Sequence, residues 1–280
     1  MLAPSGPFDP PIFERGLEVL KQRYTPVLGE HLRSSKRYLA GTTVDRVADF
    51  AKALQDESID AIWAARGGFG AIHLLPEIRF LAEKKSVIGF SDITALHLMR
   101  QCQGLRSLHA PVVTQLGTQP AEVTDRLFDI LEGALPSPLM GTDSVCPGIA
   151  EGPLVGGNLS VIASLCGTPF QPDFRGAVLL LEDIGERPYR IDRMLSQLKL
   201  AGILESVSGI VLGEFTNCEE KDAGYTSAEV LSEILRATGK PCARGFNVGH
   251  GKINHAAVLG ARVHLNAELA ELAWSEPLCA

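Results

Sequence analysis

No two of the six cysteines (Cys102, Cys146, Cys166, Cys218, Cys242 and Cys279) form a C-x-x-C pair. Neither a zinc site nor a disulfide framework is therefore expected, and the thiols read as reduced and mostly buried. Basic blocks are missing too: 26 Lys and Arg stand against 33 Asp and Glu, for a formal net charge of -7. Such a balance gives no electrostatic footprint for nucleic acid or an anionic membrane surface. No stretch approaches the roughly 18 consecutive apolar residues of a membrane span. The opening MLAPSGPFDPP has neither the charged nor the apolar region of a secretory signal, so a soluble, cytoplasmic protein is expected. There is no P-loop spacing, no G-x-G-x-x-G and no metal-ligand pattern, so no cofactor and no metal are expected.

What is present is ample core material, since 45% of the 280 residues are hydrophobic. A prior of roughly 150 residues per domain then suggests two domains. FDPPIFERGLEVLKQR reads as a first helix, with Asp9 placed to cap it and prolines suited to its first turn. In TTVDRVADFAKAL, Thr42 and Asp45 make a capping box, and Val44, Val47, Ala48, Ala51 and Leu54 recur at helical spacing as one apolar face. IDAIWAA and SVIGF are continuous apolar strands separated by the turn RGGFG and the stretch AIHLLPEI, an alternation that predicts parallel strands with covering helices. AEVTDRLFDILEG closes this half as an amphipathic helix.

From Leu135 to about Gly157 the chain is rich in Pro, Gly and Ser and has no period. We place a linker there, over 136–157, between an N-terminal α/β domain (1–135) and a second α/β domain (158–280) with a more mixed sheet. Beyond the linker, AVLLLED and SGIVLGEF read as strands, a helix runs from about Tyr189 to Leu200, and SAEVLSEILRATG reads as another helix.

In VIGFSDITALHL, Ser91 stands where a buried strand turns into a helix. A sharp strand-to-helix turn holds a nucleophile rigid and exposed, with the helix amino terminus aimed at a developing oxyanion. Gly89 leaves room for the bend, although Ile93 replaces the second glycine of G-x-S-x-G. Taken alone, the stretch reads first as a helix cap made by Ser91 or Asp92.

An activated serine needs a base and an acid to orient it. His97 lies on the helix that Ser91 begins and cannot fold back onto it. His73 and His264 lie in apolar stretches, while His31, His109 and His255 have no distinctive setting. His250 is flanked by Gly249 and Gly251, in a loop able to place an imidazole over a cleft. The acid would come from LLLED, where an apolar strand ends on Glu182 and Asp183. Alternation along a strand sends these two to opposite faces, so only one can serve, and the residues alone do not choose between them or exclude a salt bridge to Arg187, Arg190 or Arg193. The glycines of ARGGFG can bring N–H groups to an anion, either an oxyanion or a bound ligand.

Together APSGP, YLAGTTVDR, IWAARGGFGAIHLLPEI, IGFSDITALHL, GPLVGGNLSVIASLCGTP, LLLEDIGERPYRIDRML and GHGKINHAAVLGARV resemble one family, the LD-carboxypeptidases, which are serine peptidases. The resemblance runs along nearly the whole chain. It implies a Rossmann-like N-terminal domain carrying a nucleophile elbow, with Ser91 as nucleophile, Glu182 as orienting acid and His250 as base. It further implies an oxyanion hole from the N–H of Asp92 and one from Gly67 or Gly68. Members of the family release the terminal D-alanine of murein tetrapeptides during cytoplasmic recycling, so a small muropeptide is the implied partner and a homodimer the implied assembly. A free terminal carboxylate calls for a cation, for which Arg66 is the nearest candidate. One branch instead hydrolyses microcin-type peptide-nucleotides and would need an aromatic platform, whereas 134–158 holds no Phe, Tyr or Trp. Relatives also open on a strand before APSGP, so with Met1-Leu2 alone a central strand of the first sheet is expected to be short or missing. Without the resemblance, the rival reading is a non-catalytic protein that grips an anion with RGGFG.

Overall fold

The computed structural model describes residues 1–78 and 85–278. In chain order its elements are α1 (Pro10–Lys21), α2 (Thr43–Gln55), β1 (Ala61–Trp63), β2 (Ser86–Gly89), α3 (Thr94–Gln101), β3 (Ser107–His109), α4 (Val113–Leu116), α5 (Ala121–Leu131), β4 (Leu139–Met140), β5 (Asp143–Cys146), β6 (Ile149–Asn158), α6 (Leu159–Leu165), β7 (Val178–Ile184), α7 (Pro188–Leu200), α8 (Ile203–Ser206), β8 (Gly209–Thr216), α9 (Ser227–Arg236), β9 (Cys242–Arg244), β10 (Ala257–Leu259), β11 (Arg262–Asn266) and β12 (Glu271–Trp274). No helix among the described residues is long and apolar enough to cross a membrane.

Two sheets result. The first runs β1-β2-β3-β10, with β1, β2 and β3 parallel and β10 antiparallel to β3. Leu2 adds a single parallel bridge to Ala64 on the other side of β1. The second sheet runs β4-β12-β11-β6-β7-β8-β9-β5; β6 to β9 are parallel and the rest antiparallel. The fold is thus mixed α/β, as the alternation of strands and helices predicts.

The stretch read as a linker carries β4, β5 and nearly all of β6. Its glycines hide the pattern because they mark close approach: a Cβ on Gly156 would lie 2.1 Å from the Leu180 carbonyl oxygen, and one on Gly157 2.6 Å from Thr94 Oγ1. β10, late in the chain, returns to the first sheet. The two halves are therefore stitched together, and the Asn158 N–H donates to Thr94 Oγ1 across them at 3.0 Å.

Successive residues of β7 alternate between two apolar faces. Val178 and Leu180 join one apolar cluster with Ile88 and Leu108 of the first sheet, while Leu179 and Leu181 join the other with Leu159 and Ile162 of α6. Both faces of this central strand are buried, as a continuous apolar run requires.

Two local expectations change. Asp9 does sit at the start of α1 but makes no side-chain cap, because Pro10 and Pro11 remove N–H groups it could have accepted from. The capping box of Thr42 and Asp45 forms, yet α2 is rotated from its expected face: Arg46, Asp49, Phe50 and Leu54 are buried, whereas Val44 is 78% exposed and Ala48 and Ala51 also face out. Polar groups inside explain the rotation. Arg46 donates to the carbonyls of Pro4 and Gly70, and Asp49 accepts from the His31 N–H.

Candidate active site

Ser91 leaves β2 with φ +65°, a left-handed conformation that costs a non-glycine residue about 1–3 kcal/mol and persists only where neighbours enforce it. The neighbours are visible. At Gly89 a Cβ would meet Ile93 Cγ1 at 2.9 Å and Ala64 Cβ at 3.1 Å, so only glycine lets the bend close. His97, one turn into α3, donates from Nε2 to the Gly89 carbonyl at 2.9 Å, and burial drives its imidazole down to about 3, which keeps it neutral. His97 thus braces the turn from behind rather than reaching Ser91. The Asp92 carboxylate accepts the Ala71 N–H at 2.8 Å, tying the serine turn to the RGGFG turn, and burial raises this carboxyl above its ordinary range.

RGGFG comes directly against the serine. A Cβ on Gly67 would lie 2.9 Å from Ser91 Cβ and 3.0 Å from its Oγ. Gly68 and Gly70 take φ +115° and +124°, and the Gly67 carbonyl accepts from the Gly6 N–H at 3.1 Å, docking APSGP onto the turn. Arg66 is exposed beside it, with Nη1 donating to the Pro7 carbonyl at 2.7 Å.

On β7, Glu182 and Asp183 take the opposite faces that strand alternation dictates. Asp183 caps α6: it accepts from the Ser160 N–H at 2.9 Å and from Asn158 Nδ2 at 2.9 Å, and burial pushes its carboxyl up to about 6. Glu182 points the other way, fully buried, and its Oε2 lies 2.6 Å from His250 Nδ1. Burial alone would raise this carboxyl, but His109 and His250 outweigh it and hold it near 2. With Nδ1–H given to Glu182, Nε2 is the ring nitrogen that does not meet the carboxylate.

Two further contacts fix His250. Gly249 has φ +112°, and a Cβ there would fall 2.5 Å from Glu182 Oε2, so glycine is required for imidazole and carboxylate to meet. Buried Asn254 accepts the Gly249 N–H at 2.8 Å, donates from Nδ2 to Gln115 Oε1 at 3.1 Å and donates its backbone N–H to Gln119 Oε1 at 3.0 Å, which pins the loop to α4 and the turn after it. The Phe90 ring, next to Ser91 in sequence, packs 4.7 Å from that of His250.

The structure therefore brings Glu182 to His250 and Gly67 to Ser91; between the two pairs the contact is that of the Phe90 ring with His250, and no hydrogen bond joins Ser91 to His250 among the described residues. Sequence reasoning passed over Asn254, Gln115 and Gln119 and set His109 aside, because each is defined by what it touches across the fold. Among the described residues no cluster of His, Cys, Asp and Glu is arranged to hold a metal ion.

Residues 1–110 match the LD-carboxypeptidase N-terminal domain, and residues 151–265 match the LD-carboxypeptidase C-terminal domain. A probable murein peptide carboxypeptidase of Bacillus subtilis is 37% identical, over 95% of this chain and 88% of its own. The crystal structure of muramoyltetrapeptide carboxypeptidase from Oxalobacter formigenes superposes with a TM-score of 0.86 at 27% identity, covering 98% of this chain and 96% of the other. MccF, solved with glutamyl sulfamoyl guanosine, reaches a TM-score of 0.91 at 23% identity over 100% and 96% of the two chains, a likeness of fold. Both domain matches in order, with a relative 37% identical along most of both chains, place this chain in the LD-carboxypeptidase family of serine peptidases.

Proposed function

We propose that Ser91, His250 and Glu182 work as nucleophile, base and orienting acid, and that the enzyme releases the terminal D-alanine of murein tetrapeptides in cytoplasmic recycling of cell-wall fragments. The observation that carries this reading is the 2.6 Å contact between buried Glu182 and His250, on a loop that meets the ring next to Ser91. His250 Nε2 takes the hydroxyl proton as Ser91 Oγ attacks the scissile carbonyl, and buried Glu182 stabilises the imidazolium. The proton passes to the leaving amine of D-alanine, and water then resolves the acyl-enzyme by the same route. The N–H groups of Asp92 and of Gly67 or Gly68 receive the oxyanion, and Arg66 is our candidate for the terminal carboxylate. A homodimer is the assembly we expect, to be checked by light scattering.

The names of the relatives support a murein substrate, and so does the absence of aromatics over 134–158. Tyr38 and Phe69, however, form an exposed edge-to-face pair at 5.8 Å on the RGGFG turn, so a microcin-type peptide-nucleotide is the second substrate to assay. Incubation with a tetrapeptide ending in D-alanine should release that residue, read by mass spectrometry, and the epimer ending in L-alanine should stay intact. Cleavage of the peptide-nucleotide alone would move the substrate assignment to that branch.

Gly67→Ala tests the oxyanion turn. The added methyl would lie 2.9 Å from Ser91 Cβ and 3.0 Å from its Oγ, so the serine must shift: turnover should fall about 100-fold and the melting temperature should drop as overpacking costs about 1–3 kcal/mol. Turnover equal to wild type would remove the RGGFG turn from the machinery.

A further inference from the structure

Glu182 has two oxygens, and only Oε2 is accounted for by His250. Oε1 is buried without a hydrogen-bond partner among the described residues, and so are both ring nitrogens of His109. These orphaned atoms face one another: His109 Nε2 lies 3.9 Å from Glu182 Oε1, and both side chains are fully buried. Leaving a buried carboxylate oxygen and a buried imidazole unpaired is costly on both sides, and one contact relieves both.

We propose that His109 is a positioning residue for the acid, donating from Nε2 to Glu182 Oε1 as the site works, so that Oε2 stays turned toward His250. This rests on the roles given above to Ser91, Glu182 and His250. The topology favours it: His109 ends β3 and Glu182 lies near the end of β7, so the contact joins the carboxyl ends of parallel strands from the two sheets. Phe90 packs on both imidazoles, 5.8 Å from His109 and 4.7 Å from His250, and separates them so that each addresses a different oxygen. The other polar groups around His109 do not compete. His97 on α3 is neutral, its ring 6.4 Å away and its Nε2 committed to Gly89. Arg100, further along α3, donates to the Arg106 carbonyl; Asp183 faces α6; the β10 residue paired with His109 is Ala257.

The test uses His109→Leu and His109→Gln, since a glutamine amide nitrogen reaches about where Nε2 stands and can donate as it does. The readout is the rate at which a fluorophosphonate probe labels Ser91, followed against pH, which needs no knowledge of the substrate. The leucine variant should label about tenfold more slowly, and its acid limb should move to higher pH because the undivided carboxylate charge then falls on His250. The glutamine variant should recover most of the rate. Wild-type rate and pH limb in folded His109→Leu, or a folded His109→Gln as slow as leucine, would overturn the proposal. Should the leucine variant fail to fold, His109→Met makes the same comparison. A wild type that does not label at all would instead overturn the serine reading on which the proposal stands.

Discussion

Ser91→Ala will fold, and its hydrolysis will fall by about 10⁴–10⁶-fold, the range seen when one member of a serine triad is removed. Folding is preserved because the methyl occupies space the serine already fills, and alanine meets the same left-handed backbone at φ +65° without new contacts. Ser91→Gly is the informative companion. Glycine adopts that conformation freely, so the variant should be as inactive as alanine yet melt higher than wild type by the strain released, about 1 kcal/mol. The pair separates chemistry from backbone: activity follows the hydroxyl, while stability follows φ. Substantial turnover in either variant would mean that another group attacks the substrate.

Glu182→Gln will keep the shape of the site and lower turnover by about 10⁴-fold. The amide can still meet His250 Nδ1 across the 2.6 Å contact, but it carries no charge to stabilise the imidazolium and can present its NH₂ to the wrong nitrogen. Stability should respond in a pH-dependent way. The carboxyl is held near 2 in the folded protein against an ordinary 4.5, so ionised Glu182 stabilises the fold above pH 4.5 and this contribution is lost as pH falls toward 2. The gap in unfolding free energy between wild type and Glu182→Gln should therefore be widest above pH 4.5 and shrink below it, as denaturant titrations at several pH values will show. A gap that widened on acidification would mean that the carboxyl is protonated in the folded state. Asp183 runs the opposite way: its carboxyl is raised to about 6, so its contribution is present below pH 3.8 and is lost as pH rises through 6. The two neighbours on β7 thus respond oppositely to pH because one faces imidazoles and the other a crowded, buried helix start.

What could be read directly in the chain were features whose cause is local. Thr42 and Asp45 cap α2 because capping depends on residues three apart, and VLLLED becomes a strand buried on both faces because a continuous apolar run has no other comfortable place. The glycines around RGGFG and GHG announced close approach without saying to what. Expectations failed where parts of the chain distant in sequence decide the packing. The face of α2 was misplaced because Arg46 and Asp49 turn inward to hold loops around 4, 70 and 31. The stretch 136–157 hid three strands because its glycines are forced by neighbouring backbone rather than by turns.

The sequence by itself therefore determined the α/β class, the strand-to-helix turn at Ser91 and, through its resemblance, the family. The resemblance also chose Glu182 over Asp183, but only the tertiary structure laid Glu182 against His250 and Asp183 against the start of α6, brought His109 to the second oxygen of Glu182, and showed that Asn254 anchors the loop of His250. The reason is physical. Caps, alternation and turns are fixed by residues within a few positions of one another, whereas pairing a buried charge requires partners that only the packing of two sheets brings within a few ångströms.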